Sequence, residues 1–127
     1  MKKQSLALVL SLGVLGLVGC SDALDKEDVS KLSMNDAAIE ACKAFVSLDV
    51  ERISVFLENR DVAKLKATLA NDTKRKKAEK LFNDSVCKVT KSRKSVVNTT
   101  YYTFEKFPRD LEIFKNKENG YTVKSFF

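Results

Sequence analysis

The chain predicts an α+β domain, with two to three N-terminal helices packed on one face of a curved antiparallel sheet of about four strands. Three observations carry the prediction. Apolar residues between positions 36 and 85 recur at helical spacing. From Val86 onward the pattern turns to period two, and β-branched and aromatic residues take over. The change happens once, and a block of helices followed by a block of strands folds as α+β rather than as alternating βαβ units.

The first element lies outside that domain. Lys2 and Lys3 open the chain with positive charge, and residues 6–18 form an apolar run of 13 interrupted by Ser11, Gly13 and Gly16. A helix needs about 20 apolar residues to span a bilayer. The run is shorter and has the layout of a secretory signal. Its exit, Leu17-Val18-Gly19-Cys20, resembles the lipobox of bacterial lipoproteins. That resemblance implies that the Cys20 thiol receives a diacylglycerol, that residues 1–19 are removed, and that the new amine is acylated. An ordinary signal peptide and an uncleaved anchor are the alternatives. Ser21, not Asp, follows Cys20. In a Gram-negative host the resemblance then implies an outer-membrane anchor facing the periplasm.

Residues 20–127 number 108, one domain's worth. Residues 20–34 are polar, acidic and aperiodic, and read as a lipidated tether to a domain over 35–127. Asn35 and Asp36 are N-cap candidates. Ala38, Ile39, Cys42, Phe45, Val46, Ile53, Phe56 and Leu57 then mark a helix over 36–58, bent near Asp49. A second helix starts near Asp61 with Val62, Leu65 and Leu69 on one face, and Asn71-Asp72-Thr73 breaks or bends it. Residues 74–85 carry Ala78, Leu81 and Phe82 as a third segment. Cys87 and Val89 share a strand face, residues 96–104 give the strongest strand signal, and Phe107-Pro108-Arg109-Asp110 is a turn. Residues 111–115 form the next strand. Asn119-Gly120 then marks a hairpin turn before a last strand over 121–127.

Cysteine and histidine counts bound the chemistry. If lipidation uses Cys20, Cys42 and Cys87 remain as an even pair in an oxidising compartment, which predicts a disulfide. Two buried free thiols are the alternative. With no histidine, Ser-His and Cys-His nucleophile pairs and histidine zinc sites are excluded. No catalytic residue, metal site or cofactor is expected, and acidic pairs such as Asp25 and Glu27 read as solvated.

The stretch ENRDVAKLKATLAND at 58–72 and the closing GYTVKSFF at 120–127 are similar to the second helix and last strand of the nuclear-transport-factor-two-like, or cystatin-like, cone fold. The resemblance implies a cone-shaped apolar pocket between the sheet and the first helices, and in some members dimerisation through the sheet face. The enzymes among them commonly use an Asp–His pair, which this chain lacks.

Charge is uneven. Residues 20–59 carry 4 basic and 9 acidic side chains, residues 60–94 carry 12 and 4, and residues 95–127 carry 5 and 4. Lys74, Arg75, Lys76, Lys77 and Lys80 form a candidate patch for an anionic headgroup, cell-wall polymer or acidic protein. A solvated helix face is the plainer reading. Cations oppose the dipole at a helix start, so the run is expected in a loop or at the end of the preceding helix. Tyr101, Tyr102, Phe126 and Phe127 are adjacent aromatic pairs, and each pair must split across the two faces of a strand. They mark a candidate aromatic surface, with a small sheet's core as the alternative. The expected activity is that of a membrane-tethered, non-catalytic binding module for an envelope protein or anionic polymer. Alternatives are a carrier of a small apolar ligand in the cone, and an inhibitor or exclusion factor against an envelope enzyme or phage or plasmid entry. Nucleic acid is not an expected partner; the membrane, through the lipid, is.

Overall fold

The computed structural model describes residues 24–96, 98–116 and 120–124. Within them lie five helices and then four strands. The helices are α1 (Lys26–Ser30), α2 (Met34–Ser47), α3 (Val50–Ser54), α4 (Asn59–Ala70) and α5 (Asp72–Leu81). The strands are β1 (Val89–Lys94), β2 (Thr99–Phe104), β3 (Leu111–Asn116) and β4 (Gly120–Val123). They pair antiparallel in chain order β1-β2-β3-β4, an open meander, so the predicted α+β class holds.

Helix boundaries have local causes. Ser33 caps α2, its hydroxyl accepting the Asp36 N–H at 3.1 Å. The helix stops where Leu48 turns left-handed at φ 55°. Asp49 then caps α3 through the Glu51 N–H at 2.9 Å. The bend expected near Asp49 is therefore a full break. Asn71 serves two helices, closing α4 and accepting the Lys74 N–H at 3.0 Å to start α5.

Over its described part, residues 24–34, the expected tether is corrected. Asp25 caps α1 through the Asp28 N–H at 2.8 Å, and Val29 is fully buried. The Tyr121 hydroxyl donates to the Leu32 carbonyl at 2.7 Å, so α1 and the turn after it lie against β4. The chain joins the domain by Asp25, ten residues before the expected boundary at 35. A lone Val29 in KEDVS offers no period to detect. Gly120 makes this packing feasible. It sits at φ +79°, and a Cβ there would lie 3.0 Å from the Ser30 Cα. Gly120→Ala combines a left-handed non-glycine residue with pressure on the α1 backbone, and is expected to cost about 1–3 kcal/mol. The check is the urea midpoint; an unshifted midpoint would show that α1 is not seated there.

The sheet's inner face supplies Tyr102, Phe104, Leu111, Ile113, Tyr121 and Val123 to a core shared with Phe45, Ile53, Leu65 and Phe82. Burial alternates along β2, as a sheet covered on one face requires. β1 is exposed along nearly its whole length. Two strand expectations shift. β1 starts at Val89 rather than Val86, and β2 starts at Thr99 rather than at position 96. Val96 is instead in the connecting turn and 72% exposed, because Asn98 adopts φ 63° and the Thr99 N–H reaches back to the Val96 carbonyl at 3.0 Å. Asn119 and the end of the expected last strand, with Phe126 and Phe127, lie outside the described residues.

Cys42 and Cys87 stand at disulfide distance, with sulfurs 2.14 Å and Cα atoms 5.7 Å apart. The link ties α2 to the chain entering β1.

Candidate anionic-partner surface

Helix α5 has the sequence DTKRKKAEKL and buries only Ala78. Leu81, its one large apolar residue, is 52% exposed. The basic run is thus helical, contrary to the loop or helix end expected from the dipole. The cause is the pair at its start: Asn71 caps the first turn, and Asp72 places negative charge there ahead of the cations. Thr73, Lys76, Lys77 and Lys80 are linked by steps of three or four residues, so they share one side of the helix, with Asn83 in the turn just past its end. With Glu79 they line an open groove of about 640 Å³. Arg75 pairs with Glu79 at 3.6 Å. Among the described residues, Lys74, Lys76, Lys77 and Lys80 have no carboxylate within 4.0 Å. Of the five cations of the sequence patch, Lys76, Lys77 and Lys80 are therefore brought together on one side, whereas Lys74 and Arg75 fall on other faces of the helix; among the described residues only Arg75 is paired.

The aromatic candidates separate. Tyr102 faces inward and is buried. Burial, and then the charge of a nearby Tyr121 phenolate, push its phenol above the ordinary 10.0. It is core and not surface, because neighbouring residues on a strand point to opposite faces. Tyr101 is on the outer face, half-buried, with the Arg93 guanidinium 4.3 Å from its ring centroid. Phe126 and Phe127 cannot be placed with them, lying outside the described residues. Inside, the Phe45–Phe82 and Phe82–Phe107 rings approach to 6.4 and 5.5 Å, and Phe104–Phe107 to 5.5 Å. This ring chain is part of the core between the helices and the sheet.

A second groove, about 310 Å³, crosses the outer face beside Arg93, Tyr101, Arg109, Asp110, Glu112 and Lys124. Sequence reasoning missed the Arg93–Tyr101 pairing, because placing Val96 in a strand hid the hairpin register that sets them opposite each other. Asp110 is engaged by the Thr103 hydroxyl at 2.7 Å. Among the described residues no group of three His, Cys, Asp or Glu side chains is placed to hold a metal. No described helix is long and apolar enough to cross a membrane. The chain matches no known protein family, curated protein or solved structure.

Proposed function

We propose that the chain is a lipid-anchored, non-catalytic binding module of the cell envelope that engages an acidic protein or anionic polymer through α5. The lysine stripe carries this reading. A ten-residue helix that buries one alanine gains little from packing, and helices this short are marginal on their own. Its side chains are available to a partner rather than committed to the core. Each lysine near an anionic surface contributes roughly 1 kcal/mol, so Lys76, Lys77 and Lys80 together supply about 3 kcal/mol at low salt. The attraction weakens as the screening length shrinks.

Anchoring rests on the lipobox resemblance at Cys20. In a Gram-negative host it places the module on the outer membrane, facing the periplasm. The order of parts, helices and then an antiparallel sheet, is in keeping with a nuclear-transport-factor-two-like or cystatin-like domain. The packing of Phe45, Phe82, Phe104 and Phe107 into the core supports a binding module more than a carrier of an apolar ligand.

The test is chemical cross-linking in intact envelopes, with wild type beside a Lys76→Glu, Lys77→Glu, Lys80→Glu triple variant. These side chains are exposed, so the fold should stand. The triple variant should lose at least nine-tenths of the cross-linked species, and raised salt should reproduce that loss in wild type. Identical cross-links in both proteins would contradict the reading.

A further inference from the structure

We infer that the free edge of β1 accepts an extended acidic polypeptide segment as a fifth strand of the sheet. The inference shares the premise of a non-catalytic binding module but does not need the α5 stripe. Among the described residues β1 pairs with β2 alone. The Ser95 N–H bonds to the Thr99 carbonyl at 3.0 Å, which sets the phase of that ladder. Hydrogen-bonded and non-hydrogen-bonded pairs then alternate along the register Arg93↔Tyr101, Ser92↔Tyr102, Lys94↔Thr100. Arg93 thus turns its backbone groups toward β2. Ser92 and Lys94 turn theirs toward the open edge, ready for a new strand.

Side chains define what that strand must be. Lys91 and Arg93 lie on the outer face with Thr103 and Tyr101 as partners. Stacking on Tyr101 at 4.3 Å holds the Arg93 guanidinium as a planar fork suited to a carboxylate. Neither Lys91 nor Arg93 has a carboxylate within 4.0 Å among the described residues. The inner flank differs. The helices leave β1 uncovered, and beneath it runs a groove of about 630 Å³ lined in part by Met34, Ser92, Lys94, Thr100 and Tyr102. Successive residues of an added strand alternate between these flanks. The fitting segment therefore places two carboxylates, two residues apart, toward Lys91 and Arg93, with an apolar residue between them over the Met34 side. A second copy of β1 fits poorly, because it would set lysine and arginine against lysine and arginine.

The probe is a labelled nine-residue peptide with the core Glu-Leu-Glu, titrated against the full chain by fluorescence anisotropy at low salt. Saturable binding is expected. It should weaken about tenfold for Arg93→Glu, where attraction becomes repulsion. It should also weaken at least tenfold for a Lys-Leu-Lys peptide, and for one N-methylated on the alternate amides that face β1. Ser92→Pro removes an edge-facing N–H at a position where an edge strand tolerates proline, and should abolish binding. At about 0.15 M salt, where the α5 attraction is screened, the α5 triple variant should still bind the peptide saturably, and Ser92→Pro should abolish that binding in the same background. Absent binding, equal binding of the N-methylated peptide, or loss confined to the α5 variant would each overturn the inference. The first two would leave the envelope reading to its own cross-linking test. Self-association abolished by Ser92→Pro would overturn it in favour of a second copy.

Discussion

Replacing Cys42 and Cys87 with alanine should lower the free energy of unfolding by about 4 kcal/mol. The two residues are 45 apart in sequence, and closing a loop of that length in the unfolded chain removes conformational entropy of that size. Domains of this length have only about 5–15 kcal/mol in all, so the loss takes a large part of the margin. The melting temperature should fall by about 15–30 °C, measured by circular dichroism on wild type and the double variant. The effect should be large because of what the link joins. Cys42 is fully buried on α2, whereas Cys87 leads into β1, the strand that the helices leave uncovered. Without the link, β1 is held chiefly by its pairing with β2. An unchanged melt, together with ready alkylation of both thiols in the untreated wild type, would contradict this.

Cys20→Ala should move the protein from the membrane fraction to the soluble fraction of the envelope. On the proposed anchoring, the acyl chains on residue 20 are the main hold on the bilayer. Each buried methylene contributes about 0.8 kcal/mol, and two or more chains make the attachment stable where one is marginal. Alanine has no thiol to accept the diacylglycerol. The lysines of α5 contribute only a screened attraction of a few kcal/mol at low salt. Fractionation at about 0.15 M salt should therefore give an all-or-none shift. A variant that stays with the membrane under those conditions would locate the attachment elsewhere.

Much of the fold was legible because its signals are local. The apolar positions of α2 and α4 recur at helical spacing, and the period changes once, before β1. Cys42 and Cys87 could be paired from their number and the proposed compartment. Elements set by distant contacts were not legible. α1 is five residues with one buried apolar side chain, and it is seated by Gly120 and Tyr121 from the other end of the chain. The start of β2 was misplaced because Val96 has strand propensity, while the left-handed Asn98 puts it in the turn. The patch on α5 was legible as composition. Its helical form was not, because the caps at Asn71 and Asp72 outweigh the dipole cost of the cations that follow. The free edge of β1 and its Arg93–Tyr101 stack depend on hairpin register, which only three-dimensional pairing supplies.

The most direct measurement is the intact mass of the protein extracted by detergent from its native cells. The account predicts a chain beginning at residue 20, heavier than its polypeptide by a diacylglyceryl group and an amide-linked acyl chain, and lighter by two hydrogens for the Cys42–Cys87 bond. A mass corresponding to the unmodified chain from Met1, with both thiols reduced, would contradict it.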